Sequence, residues 1–138
     1  MPAPLPWSAL NHIALMTKRV AESIAFYERV LGFRQVQRPN FDFRGAWPVK
    51  DGVCIHLLEN PNAGDSTEII QTREHHHALH TDDLRAAEKL LIEHGVRYRQ
   101  NWMANTDLEQ LFFQDPDGNV WELATYRPMP PFLEEQTS

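Results

Sequence analysis

One pattern occurs twice in this 138-residue chain, and few folds accommodate it. Asn11-His12-Ile13-Ala14-Leu15 opens one stretch, and His75-His76-His77-Ala78-Leu79 opens another. A helix-like segment follows each opening, then short strand-like runs, then an Asp-Gly pair and a final strand. In the first copy Asp51-Gly52 is followed by His56, and in the second Asp117-Gly118 is followed by Glu122. Both side chains stand four residues after the glycine. His12 to His76 is an offset of 64 residues, and His56 to Glu122 is an offset of 66. Two copies of one module, each carrying donor side chains at matched positions, predict a single site built where the copies meet.

Each copy reads as β-α-β-β-β. Residues 10–17 form a strand candidate with His12, Ala14 and Met16 on one face and Ile13 and Leu15 on the other. Val20, Ile24, Tyr27 and Leu31 then recur at helical spacing, and Gly32 stands where a left-handed cap would end the helix. Residues 33–37, 45–49 and 53–58 are strand candidates. In the second copy Asp82 or Asp83 can cap a helix whose apolar positions are Leu84, Ala87 and Leu91, with Gly95 at its end. Residues 96–99, 111–114 and 119–125 supply three further strands. The run Asp115-Pro116-Asp117-Gly118-Asn119 predicts a hairpin turn in which Asp-Gly takes the positive φ angles of a tight primed turn.

The expected fold is α+β: two paired β-α-β-β-β modules forming a curved mixed sheet around a metal site, with the helices outside. Module one spans about 9–60, a polar linker about 61–73, module two about 74–126, and a proline-rich tail 127–138 extends along the surface or frays. His12, His56, His76 and Glu122 would point into the hollow of the sheet, with Ile13, Leu15, Trp121 and Leu123 packed under the helices.

The length fits one domain, and 42% hydrophobic with 23% charged residues is the balance of a soluble globular protein. A net charge of -6 with no local Lys/Arg cluster argues against nucleic acid as a partner. No apolar run is long enough to span a bilayer, and the first residues lack the pattern of a signal peptide. The single Cys54 excludes an intramolecular disulfide and fits a reducing compartment, so the expected location is cytoplasmic.

Two imidazoles and one carboxylate can take one face of a divalent metal and leave the other open for a substrate with two neighbouring oxygens. His12, His76 and Glu122 form that set. His56 is either a fourth ligand or an unligated base that works near neutral pH. Glu122 and His56 are the catalytic candidates. The metal would be Ni, Co, Zn, Mn or Fe.

A lone strand histidine is ordinarily a surface or satisfied core residue. What raises these four above that reading is their placement at repeat-matched positions. A carboxylate between Trp121 and Leu123 would also be costly to bury without a purpose. Matching Ala78-Leu79 to Ala14-Leu15 selects His76 from the cluster of His75, His76, His77 and His80. His80 is expected to line a pocket, and His75 and His77 to face the other way. Cys54 reads as a small hydrophobe. Trp47, Phe41 and Phe43 either wall a pocket or pack in a core or dimer.

At these residues the chain resembles the vicinal oxygen chelate superfamily, which includes glyoxalase I, fosfomycin-resistance thiol transferases, extradiol dioxygenases and bleomycin-binding proteins. The resemblance rests on Asn-His-Ile-Ala-Leu at 11–15, Ser-Ile-Ala-Phe-Tyr-Glu-Arg-Val-Leu-Gly-Phe at 23–33 and Phe-Gln-Asp-Pro-Asp-Gly-Asn-Val-Trp-Glu-Leu at 113–123. It implies paired modules, a metal held at 12, 56, 76 and 122, and a homodimer whose sites combine modules from both chains. Small glyoxalase-I-like proteins are the nearest in length, which implies a lyase or isomerase acting on a small chelating substrate such as a thiol adduct. Two positions depart from glyoxalase I: His56 stands where a carboxylate is usual, and Met16 where bacterial forms have an arginine. A thiol transferase, an extradiol dioxygenase and a non-catalytic small-molecule binder are the alternatives.

Overall fold

The structure is a computed structural model that describes residues 1–126, so the tail expected at 127–138 lies outside the described residues. Module one runs β1 (Ile13–Thr17), α1 (Val20–Arg29), β2 (Arg34–Val36), β3 (Gly45–Lys50) and β4 (Val53–Glu59). Module two runs β5 (His76–His80), α2 (Leu84–Glu93), β6 (Tyr98–Trp102), β7 (Glu109–Gln114) and β8 (Val120–Ala124). The modules form two four-stranded mixed sheets, β1-β4-β3-β2 and β5-β8-β7-β6, which do not close on each other. In each, the first strand pairs parallel with the last and the other pairs are antiparallel. The repeat seen in the sequence is therefore a repeat of topology.

Local chemistry sets the element ends. Asp51 and Gly52 have φ of 46° and 80°, and they join Lys50 to its partner Val53 in a two-residue primed turn. The second Asp-Gly pair behaves differently. Pro116 holds the second position of an ordinary turn closed by a 3.0 Å hydrogen bond from Gly118 N–H to the Asp115 carbonyl. Only Gly118 is left-handed there, with φ of 87°. A Cβ on Gly118 would run into the Asp65 carbonyl, so the close approach of the linker also demands glycine. Of the two capping candidates, Asp83 caps α2, accepting from Ala86 N–H at 2.9 Å. At the other end the Val96 N–H bonds the Leu91 carbonyl past Gly95. The expected strand at 96–99 lies two residues later, at Tyr98–Trp102, because that cap occupies Val96.

The alternation expected along β1, β4 and β8 is present. Leu15, Ile55, Leu57, Leu111, Phe113 and Trp121 are buried with Tyr27, Phe33 and Leu91 in one core. That core belongs to both modules. The Tyr27 ring of α1 stands edge-on to Phe33 at 5.8 Å and to Trp121 of β8 at 5.9 Å. The helices lie on the faces opposite the donor side chains, as expected, and within one chain those helix-bearing faces are where the modules meet. The linker is less loose than its polar sequence suggests: Ile70 is buried against Phe112 and Val120, and Thr67 N–H donates to Gln114 at 3.0 Å.

A polar bolt runs through the seam. The Tyr27 hydroxyl donates to Asp115 Oδ2 at 2.7 Å and accepts from Trp121 Nε1 at 3.1 Å. Asp115 is 1% exposed, and its other oxygen accepts the N–H groups of Asp117 and Asn119 at 3.0 and 2.9 Å. Burial pushes its carboxyl above the usual range, against the pull of those hydrogen bonds. Around the bolt, Arg19 pairs with Asp117 at 3.1 Å and Lys18 with Asp65 at 2.9 Å.

Replacing Tyr27 with Phe leaves a buried carboxylate one donor short and Trp121 Nε1 unpaired. The expected loss is about 2–3 kcal/mol of unfolding free energy, measured by urea denaturation. A loss below about 0.5 kcal/mol, the usual size for a surface change, would show that the seam does not depend on this bond.

Candidate metal centre

Module one presents a stack of rings. His12 lies just before β1, and its Nδ1 meets Asn11 Oδ1 at 2.7 Å. Its ring lies on His56 with centroids 3.6 Å apart and planes 13° from parallel. His56 in turn lies on Trp47 at 4.2 Å and 4°. Ala14 pairs with His56 across β1 and β4, so His12 stands on the diagonal from His56 on the same face. His56 makes no hydrogen bond among the described residues. Its pKa is held below the ordinary histidine value, chiefly by burial and then by the neighbouring charges of His12 and Arg38.

Module two repeats the diagonal. Ala78 pairs with Glu122 across β5 and β8, which places His76 on the diagonal from Glu122 on one face. His76 Nδ1 meets the Glu74 carbonyl at 2.7 Å, and its ring stands edge-on to Phe112 at 5.4 Å. Glu122 is 2% exposed. Gln110 Nε2 donates to Glu122 Oε1, and the Tyr126 hydroxyl donates to Oε2 at 3.1 Å. Among the described residues no cation pairs with this buried carboxylate.

The donor chemistry fits a divalent metal. Both Nδ1 atoms face carbonyl oxygens, which only accept, so each Nδ1 carries the hydrogen and each Nε2 keeps a lone pair free. Glu122 brings a buried negative charge that lacks a counter-ion, and its two hydrogen bonds leave lone pairs over. One aspect of the geometry has to change. Nearly parallel rings 3.6 Å apart cannot both contain one ion in their planes, so His12 and His56 share a metal only if one ring turns out of the stack.

The structure brings His12 to His56, and sets His76 and Glu122 on one face. It does not gather the four within one chain: among the described residues no three His, Cys, Asp or Glu side chains stand close enough to hold a metal ion. The cause is the seam, since modules that meet through their helix-bearing faces turn both donor faces outward.

The other candidates also have places. His77 faces the helix side against Trp121 at 5.2 Å, where burial and then the charge of His76 lower its pKa. His80 bonds Asp82 at 3.1 Å and lines a cavity of about 440 Å³ with Leu79, Leu91 and Leu123. Cys54 is a half-buried free thiol. Sequence reasoning missed Gln110 and Tyr126. The signal for Gln110 was a lone amide in the apolar run Gln110-Leu111-Phe112-Phe113, on the face of Phe112 and so of Glu122.

If Glu122 is held for a cation, metal-free Glu122→Gln is as stable as wild type or more so by about 1 kcal/mol, since an uncompensated buried charge is removed. Thermal unfolding of chelator-treated proteins measures this, and a clear loss of stability would mean the carboxylate serves the fold. His56 and His77 are both depressed, so the folded protein resists protons that the unfolded chain takes up. Stability is then fully present above about pH 6.5 and lost as pH falls through the lower folded-state values. Urea midpoints at pH 7.5 and 5.5 should differ in wild type, and less in His77→Gln.

Comparison with known proteins agrees with this fold. The family model of the Glyoxalase/Bleomycin resistance protein/Dioxygenase superfamily matches residues 9–123. Glyoxylase I 4 of Arabidopsis thaliana is 33% identical over 132 residues, a match spanning 92% of this chain and 76% of that protein. Catechol-2,3-dioxygenase of Bacillus subtilis (strain 168) is 32% identical over 124 residues, 86% of this chain but 42% of the longer protein. Among solved structures, a glyoxalase family protein from Bacillus anthracis superposes with a TM-score of 0.73 at 19% identity, covering 91% of this chain and 100% of that one. A fosfomycin resistance protein, FosX from Listeria monocytogenes, solved with Mn(II) and 1S,2S-dihydroxypropylphosphonic acid, gives 0.74 at 16% identity, covering 89% of this chain and 95% of that one. The structural matches share the fold, the sequence matches extend over most of the chain, and the protein is a member of the glyoxalase/bleomycin resistance protein/dioxygenase superfamily.

Proposed function

We propose that this protein is a metal-dependent lyase or isomerase of the glyoxalase I kind, acting on a small substrate with two neighbouring oxygens, such as a thiol adduct. The observation that carries the reading is the pair of matched diagonals, His12 with His56 and His76 with Glu122, on outward faces of two equivalent sheets. Two chains placed donor face to donor face bring one diagonal from each together, so the working unit is a homodimer with shared sites. The outward donor faces support this arrangement, and the similarity to Glyoxylase I 4 supports the reaction class.

His12 and His76 offer Nε2 and Glu122 a carboxylate oxygen, and together they would hold the ion. Bound there, a divalent metal supplies Lewis-acid polarisation of the substrate oxygens. His56 is the proton carrier. Both of its nitrogens lack a hydrogen-bond partner among the described residues, and its lowered pKa keeps it neutral and able to accept a proton at pH 7. Trp47, stacked on His56, presents an apolar wall that excludes water beside it. Gln110 and Tyr126 keep Glu122 oriented.

Elemental analysis of untagged protein should show metal in wild type and in His56→Gln, and a loss of at least tenfold in affinity in His12→Ala, His76→Ala and Glu122→Ala. Loss of metal in His56→Gln would make His56 a ligand. Mixing His12→Ala with Glu122→Ala under subunit exchange should return about half-site metal binding, because a shared-site heterodimer keeps one intact site. If exchange occurs and nothing returns, the shared site is wrong. Turnover of the methylglyoxal–glutathione hemithioacetal, but not of fosfomycin with a thiol or of catechols, would match the proposed reaction, and the reverse would replace it.

A further inference from the structure

We propose that Arg38 is the anion-recognition residue of this site, placed to take a carboxylate carried by the substrate. The inference rests on reading the His12–His56 face as the substrate face.

Ring contacts place Arg38 beside that face. Its guanidinium stands over Phe41, and the Phe41 ring lies 6.2 Å from Trp47. Trp47 is stacked on His56, and the positive charge of Arg38 reaches that histidine.

The guanidinium is held still. Its carbon lies 4.8 Å from the Phe41 ring centroid and 4.9 Å from that of Phe43. Those two rings are themselves parallel within 2° and 5.4 Å apart. Nη2 donates to the Phe43 carbonyl at 2.8 Å, which fixes the plane of the group. Aromatic rings and a carbonyl hold a guanidinium without neutralising it.

What Arg38 lacks is an anion. Arg19, Arg44 and Arg85 each meet a carboxylate, while Arg38 meets none among the described residues. Its Nε is buried with no acceptor. A guanidinium offers five N–H donors in one plane and suits a carboxylate better than any other side chain does. Here the plane is fixed in advance, a buried donor is unfilled and the charge is uncompensated. Arg34, four residues back and on the Trp47 face of β2, also has no carboxylate partner among the described residues, so in a chain of net charge -6 this face is locally cationic. The substrate class that fits is a small organic acid whose carboxylate meets Arg38 while its two neighbouring oxygens lie toward the metal-binding side chains.

The test uses metal-free protein titrated with benzoate and with its neutral analogue benzamide, followed by the NMR signal of the Arg38 Nε–H and by Trp fluorescence. Benzoate should shift that signal saturably and benzamide should not. Arg38→Met should weaken benzoate binding at least tenfold in protein that still unfolds cooperatively on heating, and Arg38→Lys should recover part of it. If Arg38→Met fails to fold, Arg38→Gln is compared in its place. The proposal is overturned if the substitution leaves benzoate binding unchanged. It is equally overturned if benzoate gives no saturable shift in wild type, as when a carboxylate of a second chain already fills Arg38.

A second arm compares 3,4-dihydroxybenzoate with catechol on Mn(II)-loaded protein. An Arg38-dependent preference for the acid, with no gain from the metal for either compound, upholds Arg38 and rejects chelation. Metal-dependent binding of both compounds with no preference for the acid does the opposite.

Discussion

The hydrogen bond from the Tyr27 hydroxyl to the buried carboxylate of Asp115 is the buried polar anchor of the seam through which the two modules face each other. It ties a helix of the first module to the turn that feeds the last strand of the second. The same hydroxyl holds the indole of Trp121, and Trp121 is the immediate neighbour of Glu122. Once α1 is fastened to β8 in this way, the helix-bearing side of each sheet is committed to the interior of the chain. The opposite sides are then left to face outward, with His12 and His56 on one and His76 and Glu122 on the other. The fastening is mostly apolar, with Phe26, Tyr27, Phe33, Phe113 and Trp121 in mutual contact, and polar where a carboxylate has to be satisfied. The orientation of the donor faces is thus a consequence of core packing, not of anything the donors do.

The two donor faces are built to different standards. In module one the imidazoles and Trp47 lie ring on ring, His56 and Trp47 half-buried and His12 exposed, with little polar support. In module two Glu122 sits under the surface beside Gln110, Tyr126 and Phe112. A carboxylate buried with only neutral donors costs the fold free energy. A cation would remove that cost, and the imidazole nearby, with Nε2 free, leans the same way. Local tension of this kind is common where a site is assembled for a ligand.

Much of this was legible in the residues. The period-two alternation along β1, β4 and β8 depends only on neighbours in the strand, so the assignment of Ile13, Leu15 and Trp121 to one face and His12, His56 and Glu122 to the other could be read directly. The Asp51-Gly52 turn and the helical stripe through Tyr27 are equally local. What was hidden is non-local. Nothing in the strand pattern says which face of one module packs on which face of the other, so a site where the copies meet was expected, whereas within the chain the copies meet through their helices. The second Asp-Gly turn was misread because Pro116 imposes a different turn on the same dipeptide. Gln110, Tyr126 and Arg38 escaped notice because their importance lies in what they touch: a carboxylate twelve residues away for Gln110 and two phenylalanines of a loop for Arg38.

The stack of Trp47 on His56 makes the site optically self-reporting. An indole in face-to-face contact with an imidazole loses fluorescence when that imidazole gains a proton, because the cation accepts electron density from the excited ring. With centroids 4.2 Å apart and planes 4° from parallel, Trp47 is in that contact. Any event that turns His56 away from the stack changes the same emission. The chain therefore carries, in its own residues, a dye for the state of its donor face, and the arrival of an ion, a proton or a second subunit there would register as light.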